Sequence, residues 1–120
     1  MDDKLILEII QEFYRVAKKD ILIGYHFRVI EDFDEHIPKI ADFWNLQLNG
    51  NMIDRGHLPF DLIGKHKVLN INLGEVHRWE KLFMDVLTSF LKQEKITQAQ
   101  VDQWELQVDK FKQAIIKNIF

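Results

Sequence analysis

VDQWELQVDKFKQAI, residues 101–115, sets Val101, Trp104, Val108, Phe111 and Ile115 at steps of three and four. Side chains so spaced line one side of an α-helix, because a turn takes 3.6 residues. The charged residues between them fall on the opposite side, so the segment reads as an amphipathic helix laid on a core. Its start is written locally. Thr97 and Gln100 form a capping box, each side chain taking a free backbone N–H near the other, and Ile96 can staple onto Val101.

The same period runs outward toward the N-terminus. Val76, Trp79, Phe83, Val86 and Phe90 repeat it, and Leu82, Leu87 and Leu91 widen the stripe enough for burial on more than one side, as in a central helix. Phe33, Ile37, Ile40, Trp44 and Leu48 trace another helix, opening at Asp32 or Asp34 and stopping near Gly50. Pro38 must lie near its start, since proline is tolerated in a first turn and kinks a helix further in. Ile6, Ile9, Ile10, Phe13, Val16 and Ala17 form a further stripe that ends in Lys18 and Lys19, cations suited to a helix C-terminus, with Gly24 as the break. Residues 49–65, with Gly50, Gly56, Pro59 and Gly64, read mainly as loop before a short helical piece around His66. No alternating strand pattern, repeat or Pro/Ser-rich linker occurs, and the expected fold class is all-α in a single domain spanning residues 1–120.

Composition narrows the function. At 120 residues, 47% apolar and 29% charged, the chain can bury one core. A net charge of -3 gives no excess of cations for a phosphate backbone, so no nucleic acid is expected as partner. The sequence has no polybasic run and no long uninterrupted apolar stretch, so no membrane partner is expected and the location reads as cytoplasmic. With no cysteine, metal ligands must come from His, Asp and Glu. Nine Phe, three Trp and two Tyr are a large area of flat apolar surface for so short a chain, suited to a core or to lining something flat.

Three polar side chains fall among apolar neighbours. Tyr14 shares a face with Ile10, Ala17 and Ile21, where its hydroxyl needs a partner. His36 lies with Ile40 and Phe43, and His66 with Leu62 and Leu69, so both imidazoles lean toward apolar surface. A neutral imidazole there can ligate iron through one nitrogen while the other is held by a backbone carbonyl. His26 and His57 fall in loop-like segments and His77 on a polar side. Paired Glu-x-x-His segments, His-Glu-x-x-His, phosphate loops and Gly-x-Ser-x-Gly are all missing, and most acidic residues read as solvated or capping.

The order Phe13-Tyr14, Gly24-x-x-Phe27, His36-x-x-x-Ile40-x-x-Phe43-Trp44, a glycine loop, His66, and Arg78-Trp79-x-x-Leu82-Phe83 resembles a group III truncated haemoglobin. The likeness runs from about Phe13 to Phe90, and the His36–Trp44 run and the thirteen-residue step from His66 to Trp79 are its specific parts. The missing Gly-Gly pair agrees with that group. The resemblance implies a two-over-two helical sandwich around haem b, iron protoporphyrin IX. It implies His66 as the iron's proximal ligand, with His57 in reserve, and Tyr14, His36 and Trp79 on the ligand side. Phe27, Ile40, Phe43, Trp44 and Leu69 would line the porphyrin.

The implied ligands are dioxygen, nitric oxide or carbon monoxide, through oxygen binding and transport or through nitric oxide dioxygenase or peroxidase-like turnover with an unidentified reductant, in a monomer or weak dimer. Two departures stand out: the loop before His66 is about three residues longer than the pattern, and Leu69-Asn70 stands where the family often has Leu-Pro. The competing expectation is a haem-free helical module whose aromatic stripes are only core and whose broad helix faces bind a partner protein.

Overall fold

The computed structural model describes residues 1–28, 33–50 and 71–120, and these are all-α, with five helices and no strand among them. They are α1 (Asp3–Lys19), α2 (Gly24–Arg28), α3 (Phe33–Asn49), α4 (Leu73–Lys92) and α5 (Gln98–Ile119). The expected helical piece around His66 lies outside the described residues.

Most helix ends have a local cause. Asp2 caps α1 by accepting from the Lys4 N–H, and Lys18 and Lys19 occupy its last turn. At α5 the expected capping box forms: the Thr97 hydroxyl accepts from Gln100 N and the Gln100 carbonyl accepts from Thr97 N. A second such box, which the reading of the sequence does not contain, opens α4 between Asn72 and Glu75. α3 begins at Phe33, five residues before Pro38, and gives way at Gly50, whose φ of 70° is the left-handed conformation that glycine adopts without a Cβ clash. α4 ends with Glu94 in the same conformation (φ 58°). Lys95 N donates to Phe90 O and Glu94 N to Leu91 O, which satisfies the last carbonyls of the helix.

The four long helices close a ring: α1 packs on α3 and α4, and α5 completes it by packing on α3 and α4, while α2 lies against α1. Phe83, 1% exposed, is the hub, its ring meeting Phe13 of α1 at 4.8 Å, Trp44 of α3 at 5.3 Å and Trp104 of α5 at 5.4 Å. Ile6, Ile9, Ile10, Phe13, Tyr14 and Ala17 bury one stripe of α1, as their spacing predicts. Ile21 departs from its expected place on that stripe. α1 stops at Lys19, Asp20 adopts extended backbone, and Ile21 is 93% exposed.

Candidate functional site

All five described helices contribute side chains to one apolar cavity. Ile10, Phe13 and Tyr14 come from α1, Phe27 from α2, Ile40, Phe43 and Trp44 from α3, and Trp79 and Phe83 from α4, with Phe111 of α5 at one side. The rings meet mostly edge to face. Phe27 lies 5.4 Å from Tyr14 and 6.0 Å from Phe13, while Trp79 lies 6.2 Å from Phe13 and stacks on Phe111 at 4.7 Å. The His36 ring stands perpendicular to that of Tyr14 at 5.9 Å. Tyr14, Phe27, Ile40, Phe43, Trp44 and Trp79 are thus gathered in the cavity wall, with His36 beside Tyr14. His66, Leu69 and His57 lie outside the described residues.

The cavity holds about 40 Å³, enough for a molecule the size of water or a diatomic gas. Its wall is hydrocarbon except for the Tyr14 phenol and the indole N–H groups of Trp44 and Trp79. Tyr14 is 8% exposed, and burial pushes its hydroxyl well above the ordinary phenol value. At neutral pH the group is therefore a protonated donor in a dry place, where a hydrogen bond to a polar ligand is electrostatically stronger than in water.

The cavity itself, at about 40 Å³, is far smaller than a porphyrin, and it is the kind of side chain in its wall that would suit the ligand face of a haem. Aromatic edges and aliphatic side chains suit a flat apolar ring, and a phenol held protonated suits a small ligand with partial negative charge. Phe111 belongs to the wall although the reading of the sequence treats its helix as generic. Its place in the Val101–Ile115 stripe marks it as core, and only the crossing of α5 over α3 and α4 puts it between Trp44, at 5.6 Å, and Trp79.

A polar corner positions α2, and with it Phe27. Asp20 accepts from Leu22 N at 3.0 Å and Ile23 N at 3.1 Å, and Arg78 of α4 donates to both its carboxylate oxygens. The Arg78 guanidinium, helped by the two backbone N–H groups, overcomes the effect of burial and holds the Asp20 carboxyl below its usual range. Three residues before Arg78, one oxygen of Glu75 accepts from the Tyr25 hydroxyl and meets His26 Nε2 at 2.8 Å, while the other takes Asn72 N. Burial pushes the Glu75 carboxyl up, but the Tyr25, Asn72 and His26 hydrogen bonds outweigh it and the net shift is downward. His26, expected in a loop, is therefore a helical residue, and Asp20 and Glu75 are nearly buried rather than simply solvated.

The described residues thus define an all-α protein whose helices surround an aromatic cavity with a single phenol at its wall. No protein-family model, curated protein or solved structure matches the chain.

Proposed function

We propose that this chain is a truncated haemoglobin of the group III type, a two-over-two helical sandwich that binds haem b and a diatomic ligand such as dioxygen, nitric oxide or carbon monoxide. The observation that carries the reading is the meeting of Tyr14, Phe27 and Trp79, from three different helices, at one small dry cavity with His36 against Tyr14.

On this reading His66 would hold the iron of a bound haem, and that iron would supply the capacity to take a small diatomic ligand. Phe27, Ile40, Phe43, Trp44 and Leu69 would hold the porphyrin by apolar contact and keep water away. Tyr14 would donate a hydrogen bond to the ligand, and the Trp79 indole N–H would be the second donor. Donors in a water-free pocket slow the departure of a ligand that carries partial negative charge. The same donors serve nitric oxide dioxygenase or peroxidase-like chemistry when a reductant is at hand, and the ligand-binding role is the one the cavity supports directly.

The optical spectrum of the purified protein tests the reading. We expect a Soret band with one haem per chain, a shift on adding carbon monoxide, and loss of the band or of its normal carbon monoxide form in His66→Ala. A colourless, folded protein that takes up no added haemin would overturn it in favour of a helical protein-interaction module.

A further inference from the structure

The indole N–H of Trp104 lies out of reach of water, its residue being 0% exposed, and a donor so placed needs a partner within the protein. It finds a sulfur: Nε1 donates to Sδ of Met1 at 2.8 Å, across 103 residues of chain. Met1 is itself seated. Asn49, the last residue of α3, donates from Nδ2 to the Met1 carbonyl at 2.8 Å and to Asn45 Oδ1 at 2.7 Å, and Asn45, 2% exposed, donates to Asp3 in the first turn of α1. The thioether is therefore fixed where α1, α3 and α5 meet.

A thioether is a weak acceptor for so buried a donor. A carbonyl or hydroxyl oxygen would hold the indole more firmly, whereas sulfur changes its chemistry with the redox state of its surroundings. Trp104 is closed off, but Met1 is only partly buried against the core, so a small oxidant reaches it. Of the two lone pairs on Sδ, one meets the indole N–H and the other is left free.

We propose that Met1 is a modification site at which hydrogen peroxide forms methionine sulfoxide of a single configuration. The free lone pair of Sδ attacks one peroxide oxygen, the O–O bond breaks, and the second oxygen leaves as water with the proton of the first. The sulfur is oxidised to the sulfoxide and the peroxide is reduced. Trp104 covers the other lone pair and so decides which epimer forms. The product no longer serves as the acceptor, because its sulfur carries partial positive charge and its oxygen points away from the indole. The Trp104 N–H is left unpaired in the core, and the join of α1, α3 and α5 loosens until a reductase restores the thioether. Neither Met1 nor Trp104 lines the aromatic cavity, so the inference holds whether or not the chain carries haem.

The chain has three methionines and no cysteine, so Met52→Leu combined with Met84→Leu leaves Met1 as its only sulfur, by swaps that cores tolerate. Treated with dilute hydrogen peroxide while folded, this full-length variant should gain one oxygen at Met1, located by peptide mass mapping. Of the two epimer-specific classes of methionine sulfoxide reductase, one should remove that oxygen from the unfolded product and the other should not. Oxidation should lower the folding equilibrium constant about tenfold or more in urea unfolding, the effect of one buried donor left without a partner. Trp104→Phe keeps a ring and loses the donor, so in that background both epimers should form and oxidation should leave stability unchanged. No oxygen gained at Met1 in the folded protein, a mixture that needs both reductases, or an unfolding midpoint unmoved by oxidation would overturn the proposal, and these three readings require no substitution at Trp104.

Discussion

Two regions tie α2 to the rest of the molecule, and they do it by opposite physics. On the inner side, Phe27 packs against Phe13 and Tyr14, and that packing continues through Phe83 to Trp44 and Trp104. At the outer corner, Asp20 with Arg78 and Glu75 with Tyr25 and His26 join α1 and α2 to α4 through a few directed hydrogen bonds. Apolar contact is spread over many neighbours and has little direction, so its strength follows the volume buried. The corner depends on individual atoms and on their protonation, so it should respond to pH where the aromatic side does not.

The largest effect belongs to the aromatic side. Trp104 is fully buried, in contact with Trp44 at 5.2 Å and Phe83 at 5.4 Å, and its truncation leaves a void that the ring of helices cannot close. Trp104→Ala should lower unfolding free energy by about 3–5 kcal/mol, read from the midpoint of urea unfolding at unchanged slope. A cost no greater than that of the corner variants below would break the contrast.

Tyr14 belongs to the aromatic side by burial but acts through a polar atom, and so sharpens the comparison. On the proposed reading, Tyr14→Phe keeps the ring contacts with Phe13 and Phe27 and removes only the donor. Oxygen should leave the haem-loaded variant about tenfold faster or more, since one charge-assisted hydrogen bond is worth roughly 1.5–3 kcal/mol. Stopped-flow measurement of the off-rate decides this, and an unchanged rate would remove Tyr14 from the ligand side.

The corner comes next. Asp20→Asn keeps the shape but loses the charge that Arg78 grips, at a cost of about 1–2 kcal/mol near pH 7. Asp20 and Glu75 are both held below their ordinary values, so the folded protein binds fewer protons than the unfolded chain in the acid range. Their contribution is therefore complete at neutral pH and is lost as pH falls through about 4 and below. Unfolding measured from neutral pH into acid should show a steep loss in the native protein and a shallower one in Asp20→Asn.

The same contrast accounts for what could be read in the sequence. Stripes such as Ile6–Ala17, Val76–Phe90 and Val101–Ile115 repeat every turn, so periodicity alone finds the helices and most of the core, and it places Ile40, Phe43, Trp44 and Trp79 on inward faces. Asp20 and Glu75 are single residues, and Arg78 and Tyr25 become their partners only after 58 and 50 residues of chain have folded back. No local pattern announces such pairs. Ile21 shows the limit of periodicity from the other direction: it extends the α1 stripe by one step, but Asp20 uses its carboxylate on the next turn's N–H groups and ends the helix first. Thr97–Gln100 could be read because a capping box is local. Asn72–Glu75 has an equally local spacing, but it uses Asn in place of Ser or Thr and follows a segment that reads as loop.

That second capping box gives the smallest effect and the finest test of whether the corner is a separate unit. Asn72 accepts from Glu75 N at 2.9 Å, so Asn72→Ala removes one cap bond and should cost about 1 kcal/mol. The Glu75 carboxylate keeps all its own donors in that variant: the Tyr25 hydroxyl, His26 Nε2 and the backbone N–H of residue 72 are untouched. Stability should therefore fall by a similar amount at every pH, leaving the acid limb parallel to that of the native protein, whereas Asp20→Asn flattens it. An Asn72→Ala acid limb that changed slope would mean that the cap and the corner share one proton-linked network, with the start of α4 as part of the α2 anchor.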